Sequence, residues 1–555
     1  MPSKIRDSTA TLARCLLTNP LRKRTGYLCR SRVLFVAPLC HLCLLMPMVM
    51  NPLLNHDDLR RWRTCTRRFW LYRRGEQLAS THAGAQASAD ASVVHGPAVE
   101  AVLRASFPLA DVIDAPTTPA EWNRAMRQTV DCLDSDRVAP EGWAILGACL
   151  TSEDRAQVRI DVLTCGERGL RLFKVRYATV GDDADVDAVA LWTHVAARCG
   201  LRVQSVGLLL IDTDFIYPGH GCYAGLLREV DLAPVLGSRP VGAWLAAMQD
   251  CMRGPLPPAS PGTHCTQSGG CEFVNDCQAC ASMLAQQPDH PPTSLEVVGR
   301  ELAAELRHEG HVNVLSVPLE RLHNTRHRRA VCAIVQDAPV LESAVATLMQ
   351  ALAYPRYYLR LDTIGFGVPL WAGTRPYQIL PFQWTCDVQG VDGQLTHHGF
   401  LADEQGDPRR AFAQSLLQVL GNSGAIFAYN AGFERNRLRE LAQHLDDLAP
   451  ALEAVVERIV DLFQLARAHY YHPVMAGSWS FKSISRAVAP DVPVAFQNAQ
   501  AATARTAFAL SFKRGLEAAT RQQLRAELQA HGLRETEVLR RMAALFDGAA
   551  GGQSA

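Results

Sequence analysis

Residues Val158–Thr213 read VRIDVLTCGERGLRLFKVRYATVGDDADVDAVALWTHVAARCGLRVQSVGLLLIDT, and this stretch decides the fold class. Val158–Thr164 and Gly169–Thr179 are rich in β-branched and apolar residues, and the short Gly-Glu-Arg-Gly turn between them predicts a hairpin. Asp185–Gly200 has the periodicity of an amphipathic helix and stops at a glycine. Gln204–Thr213 predicts a third strand. Strand, strand, helix, strand is an α/β unit.

The chain around it has 555 residues, too many for one core, so two or more domains are expected. It is 48% hydrophobic and 20% charged with a formal net charge of +1, which excludes a histone-like polybasic protein but not local basic patches. The 17 cysteines are an odd number, and several sit singly in apolar runs (Cys149, Cys165, Cys199, Cys332). A reducing, cytoplasmic compartment fits this better than a secreted disulfide framework. Val33–Met50 is nearly continuously apolar and follows an Arg-rich leader, as in a signal peptide or membrane span. The leader is too long for an n-region and no small-residue cleavage site follows, so a start at Met50 is the preferred reading and no stable membrane insertion is expected.

After Met50, Asn51–Glu76 predicts one helix, with Asp57 near its start and arginines crowding one face. Glu76–Ser92 reads as a loop. Gly254–Thr293, dense in Pro, Gly and Cys, reads as a domain boundary. Ser294–Gly310 is helical in pattern, Arg356–Leu361 and Ala425–Tyr429 predict strands separated by a long insertion, and Gly515–Phe546 predicts a helix.

Within the boundary lies GTHCTQSGGCEFVNDCQAC, Gly262–Cys280. Four cysteines among polar and glycine residues are poorly explained by packing. They are metal or cluster ligands, or disulfide partners. Far upstream, Cys65 sits in RRWRTCTRRFWL, where a plain surface thiol is the bland alternative. Together, CTRRFWL and the later HC-x5-CEF-x3-DC resemble the split cysteines of RecB-like nucleases with an iron–sulfur staple. That resemblance implies a [4Fe–4S] cluster on Cys65, Cys265, Cys271 and Cys277, with Cys280 spare. A zinc site using Cys277 and Cys280 is the alternative.

RecB-like nucleases hold Mg²⁺ with an Asp on one strand and a Glu on the next, followed two residues later by a Lys. Asp161 fits the first position, with a structural hydrogen bond as its alternative role. The next strand reads Lys174-Val175-Arg176, and Trp192 stands where a Gln is expected. A cation in place of a carboxylate costs metal binding on the order of several kcal/mol.

The C-terminal half, through GTRPYQ, FQW, YNAGFE, VDL and GSWSFK, resembles the bacterial family called domain of unknown function 2779. The resemblance runs from about Asn51 to Phe546. It implies a RecB-like half followed by a DnaQ-type, RNase H-like exonuclease half, whose four carboxylates hold two Mg²⁺ or Mn²⁺ ions. Residue by residue, those acids fall on Asp362, Glu434, Asp461 and Glu535. Arg360 replaces the leading Asp, Asp362 is a shortened Glu, and Glu535 is a lengthened Asp. Asp461 equally suits a helix N-cap.

The expected architecture is therefore α/β in two domains. Residues 50–292 would form a restriction-endonuclease-type core with its cysteine staple, 293–350 a helical connector, 351–546 an RNase H-like domain and 547–555 a disordered tail. Two functions compete. One is a protein that binds nucleic acid, single strands or duplex ends, or a protein partner, through decayed nuclease centres. The cation substitutions favour it. The other is a working metal-dependent nuclease acting through Asp362, Glu434, Asp461 and Glu535, with Asp161 in the first domain.

Overall fold

The computed structural model describes residues 53–74, 99–134, 143–260, 262–265, 271–274, 277, 292–403, 406–498, 501–513 and 515–551. The leader, the Glu76–Ser92 loop and Cys280 lie outside them. Among the described residues no helix is long and apolar enough to cross a membrane. The chain is mixed α/β and divides into two units, the first running to Met283 and including Phe366–Tyr377, the second taking Leu284–Gly365 and Gln378–Ala555.

In the first unit, α1 (His56–Thr64) and α2 (Thr66–Arg74) replace the single helix expected there. Cys65 between them is extended, at φ −161° and ψ 116°, and its N–H closes α1 on the Arg61 carbonyl (2.8 Å). Thr64 Oγ1 donates to the Arg60 carbonyl (2.8 Å), a side-chain bond of the kind that competes with helix continuation. Then come α3 (Val99–Ser106), β1 (Asp111–Val112), α4 (Pro119–Asp134), β2 (Ala144–Thr151), β3 (Gln157–Cys165), β4 (Leu170–Arg176), α5 (Asp183–Arg198), β5 (Val203–Ile211), β6 (Leu227–Asp231), α6 (Ala233–Leu236) and α7 (Val241–Arg253).

The sheet order is β1-β2-β3-β4-β5-β6. β3 and β4 form the expected hairpin, with the Gly166 N–H on the Gly169 carbonyl (2.7 Å), and α5 carries the chain from β4 to its parallel neighbour β5. One face of the sheet buries Trp192, Val195 and Ala196 of α5. The other packs Val162, Phe173 and Ile211 against Tyr217, Tyr223 and Val368. Val368 belongs to Phe366–Tyr377, a segment expected in the second domain. It joins the first unit because Tyr377 Oη donates to the Tyr177 carbonyl (2.7 Å) and the Tyr217 N–H to the Thr374 carbonyl (2.9 Å).

The second unit contains α8 (Arg300–His308), α9 (Thr325–Gln336), β7 (Val340–Leu341), α10 (Ala344–Gln350), β8 (Arg356–Ile364), β9 (Leu380–Gln389), β10 (Leu395–Leu401), α11 (Arg409–Leu420), β11 (Ile426–Ala428), α12 (Gly432–His444), α13 (Ala449–Glu457), β12 (Ile459–Asp461), α14 (Leu462–His469), β13 (Tyr470–Tyr471), α15 (Phe481–Val488), α16 (Ala504–Ser511) and α17 (Ala518–Asp547). Its main sheet has the order β10-β9-β8-β11-β12, antiparallel through β10, β9 and β8 and parallel from β8 to β12. Successive residues of β8 face opposite ways. Tyr357, Leu359 and Leu361 pack with Phe412, Leu438 and Leu452 of α11–α13, while Tyr358 packs with Leu539 and Met542 of α17. Arg360 and Asp362 share the face of Tyr358.

Three boundaries differ from expectation. The presumed insertion between the predicted strands contains β9, β10 and α11. The presumed connector is core, since Leu306, Val331 and Met349 are buried with Phe427 and Phe546. The tail is ordered at its start, where Gly548–Gly551 forms a 3-10 turn and Asp547 receives the Arg356 guanidinium (2.5 Å).

Candidate functional site

Three elements deliver side chains to one place beneath the face of β8. The strand supplies Arg360 and Asp362. From β11 the chain turns through Asn430, whose φ of +63° is a left-handed conformation that asparagine tolerates well, into α12, and Glu434 in its first turn is buried. The long helix α17 brings His531 and Glu535, one turn apart and both buried. It passes very close to β9 because residue 532 is glycine. A Cβ there would lie 2.4 Å from Thr385 Cγ2 and 2.8 Å from its Oγ1.

Arg360 occupies the centre of this group. Its Nε and Nη2 donate to the two oxygens of Glu535 at 3.0 and 3.2 Å, a bidentate pair. Its Nη1 stands 3.8 Å from Glu434 Oε1, and its guanidinium lies 4.8 Å from the centre of the Phe481 ring. Burial alone would lower its pKa, but Glu535, Glu434 and Asp362 reverse this and hold it above its usual value.

One cation does not satisfy all of these acids. Asp362 is pushed up to about 7, by burial first and then by the neighbouring Glu535 and Glu434 charges against the pull of Arg360. Glu434 is likewise pushed up to about 7, by burial first, with Arg360 opposing and Asp461 and Glu535 adding. Glu434 Oε2, Gln383 Oε1, Thr385 Oγ1 and His531 Nδ1 are buried without a hydrogen-bond partner among the described residues. Burial lowers the His531 pKa, with Glu535 opposing.

Asp461 stands at the edge of the group. Its Oδ1 accepts from the N–H of Asn430 and of Phe463, both at 3.0 Å, so it caps α14 and fastens the β11–α12 turn. The N-cap role read as one of its two alternatives is present.

In the first unit, Asp161 on β3 accepts from the Val175 N–H (2.9 Å). Burial raises its pKa, with Lys174, that backbone bond, His56 and Arg159 opposing. Lys174 lies 5.5 Å from the centre of the Trp192 ring, and Arg176 pairs with Asp182 (3.1 Å) and Asp185 (3.4 Å) at the N-terminus of α5. His56 of α1, which had no role in the sequence reading, also stands here, its pKa lowered by burial first and also by Lys174.

At the cysteine corner, Cys265 and Cys277 are buried in one small cluster with Ala259 and Val274 against them. The Cys271 N–H bonds to the Cys265 carbonyl (3.2 Å), and the Arg68 N–H approaches Cys65 Sγ (3.5 Å). Glu272 ties this loop to the α1–α2 corner through Arg68 Nε (2.5 Å) and Arg61 Nε (3.5 Å). Burial raises the Cys271 thiol pKa, and Glu272 and Cys65 add to it. These contacts tie the loop of Cys265, Cys271 and Cys277 to the α1–α2 corner at Cys65, and none of the four is in a disulfide. Among the described cysteines, Cys222 alone is in a disulfide. Among the described residues no group of three or more His, Cys, Asp or Glu side chains is placed to hold a metal ion.

The run from β8 through β12 to the start of α15 contains Arg360, Asp362, Glu434 and Asp461. Residues 357–480 match the family described as Domain of unknown function (DUF2779). The DUF2779 match is shorter than the resemblance read from the sequence. It takes in β8 from its second residue, with Arg360, and it ends before α17, so Glu535 lies beyond it. No curated protein and no solved structure matches the chain. Gln383, Thr385 and Phe481 had no role in the sequence reading. The available signal was their place in FQW, the residues just after it, and GSWSFK, next to strand positions that carry charge.

Proposed function

We propose that this is a nuclease-like protein, RecB-like in its first unit and RNase H-like in its second, that binds nucleic acid without cleaving it. The observation that carries the reading is the bidentate Arg360–Glu535 pair inside the carboxylate group. A divalent ion entering there would have to break that pair and then bear a guanidinium at short range, one that stays protonated at any working pH. In the first unit Lys174 stands beside Asp161 to the same effect. The expected result is that the full chain cleaves single-stranded and duplex substrates barely above background in Mg²⁺ or Mn²⁺. Arg360→Asp with Asp362→Glu should raise metal affinity in titration calorimetry.

A second reading, an active metal-dependent exonuclease, is favoured by one observation: Asp362 and Glu434 are both pushed up by neighbouring acids, Glu535 beside each and Asp461 beside Glu434, so the four carboxylates lie near one another. Robust Mg²⁺-dependent cleavage by the unmodified chain, lost in Glu434→Ala, would decide for it.

The reading includes a [4Fe–4S] cluster on Cys65, Cys265, Cys271 and Cys277, in a cytoplasmic protein. The donor chemistry suits it, since thiolates are the usual ligands, and Glu272 ties the loop of Cys265, Cys271 and Cys277 to the helix that follows Cys65, although the described side chains do not form a ligand group. When bound, such a cluster would cross-link the loop to the α1–α2 corner. Anaerobically purified protein should then be brown with about 4 Fe per chain. Cys65→Ala should bleach it and Cys280→Ala should not. A colourless protein with stoichiometric zinc would refute the assignment.

A further inference from the structure

Helix α14 leaves the carboxylate group at Asp461, which caps it, and ends at His469. At about 1.5 Å of rise per residue, Arg467 lies roughly 9 Å along it from Asp461. The contacts between are continuous. The Arg467 guanidinium is 5.8 Å from the centre of the Phe463 ring. Phe463 meets Tyr429 edge-on at 5.6 Å, and Tyr429 precedes Asn430, whose N–H is bonded to Asp461.

Helix α9 meets the far end of α14 with the sequence Thr-Arg-His-Arg-Arg, residues 325–329. Arg329 is buried, bonded to Glu342 and, through Nη1, to the Arg467 carbonyl (3.2 Å), which pins the end of α14 against α9. Arg328 donates to the Leu322 carbonyl (2.5 Å). Arg326 and Arg467 remain, both half-buried and neither with a carboxylate partner among the described residues. Burial lowers the pKa of Arg326, and the charges of Arg467 and Arg329 lower it further, so the guanidinium groups repel one another. Of the four arginines of this corner, Arg329 alone pairs with a carboxylate among the described residues, Glu342, which His469 also holds. Elsewhere in the same unit such arginines either pair with acids, as Arg356 with Asp547, Arg409 with Asp407 and Arg541 with Asp491 and Glu537, or donate to backbone carbonyls, as Arg435 to Ile459 and Arg458 to Gly421 and Leu420.

Like charges left side by side without counter-charges are what a polyanion site requires, and planar guanidinium forks suit phosphate. We propose that a single strand of nucleic acid lies along α14, with Arg326 and Arg467 holding its backbone phosphates next to the carboxylate group. This rests on the nucleic-acid-binding reading above and locates its surface.

The test is fluorescence anisotropy of a labelled single-stranded oligonucleotide over a range of salt, with the full chain. Arg326→Glu with Arg467→Glu is compared with a charge-matched control, Arg505→Glu with Lys513→Glu, both exposed and without ion pairs among the described residues. Melting curves verify that each variant folds. Binding by the first variant should weaken at least about tenfold, and its salt dependence should become shallower by about 1.4 in log–log slope, the loss of two phosphate contacts. The control should stay within about twofold. Unchanged binding in the first variant, or equal loss in both, overturns the proposal. If the unmodified chain binds no nucleic acid, the reading beneath it fails as well. Binding of polyglutamate in place of the oligonucleotide would then assign the arginine pair to an acidic protein.

Discussion

The two units contain the same kind of substitution with opposite outcomes. In each, a cation occupies a strand position where the resemblance calls for a carboxylate. In the first unit the acid population has fallen with it. Lys174 faces Asp161 and a Trp192 ring, Asp161 has a backbone N–H, and Arg176 has moved to the capping acids of α5. In the second unit Asp362, Glu434 and Glu535 all remain around Arg360. One charge is shared among three acids, two of them are raised to about 7, and buried oxygens are left without partners. The first arrangement is balanced. The second depends on its cation and is still short of positive charge.

Removing that cation should have the largest effect. Arg360→Met leaves Glu535 and Glu434 buried without their counter-charge, which typically costs about 3–5 kcal/mol. The carboxylates can recover by taking up protons, so the loss should be full at pH 8 and much smaller at pH 5. Urea unfolding at the two pH values measures it. An equal loss at both would mean that Arg360 acts through packing, on Phe481 for instance, and the contrast between the units would fall.

Asp362→Asn should act in the other direction. The folded pKa of Asp362, about 7, lies above its unfolded value near 4, so the native state holds the extra proton between them. Stability therefore falls as pH rises through that window, and the whole penalty is present above about pH 8. An asparagine never ionises. The variant should match the parent near pH 4 and exceed it by roughly 1–3 kcal/mol at pH 8. A variant less stable than the parent at pH 8 would show that the Asp362 carboxylate is used, and so favour the enzyme reading.

How much of this was legible depended on burial. β3, β4, α5 and β5 were readable because hairpin, alternation and helical period agree within one stretch. β2 and β9 were not. Ala144–Leu150 and Leu380–Asp387 are buried on both faces, so they carry no alternation to read. With β9 unseen, Gln383 and Thr385 had no place opposite Asp362 and Arg360, although their register puts them there. The facing of Arg360 and Asp362 follows from their spacing in a strand. Their meeting with Glu535 does not, because it depends on where a 30-residue helix crosses the sheet. The one local sign of that crossing is Gly532, an unfavourable residue within a helix that makes sense only beside Thr385. Phe366–Tyr377 shows the same limit: its membership of the first unit rests on bonds to residues far away in sequence.

The smallest effect tests the balanced side of the comparison. Lys174→Met keeps a long flexible stem that can still pack on Trp192, and it removes the charge. Asp161 keeps its Val175 N–H and can take up a proton, since burial already raises its pKa. The expected cost at pH 7 is under about 1 kcal/mol, in the range of a single half-buried cation–π contact. A stability measurement alone would not distinguish this from a surface change, so His56 supplies the second readout. Lys174 is one of the charges holding the His56 pKa down, and Asp161 opposes it. Losing the lysine should move the His56 titration upward, as followed by the imidazole resonances in NMR. A loss as large as that of Arg360→Met, or a His56 titration that does not move, would place Lys174 in a dependent cluster like the one in the second unit, and the two centres would have to be treated as equivalent.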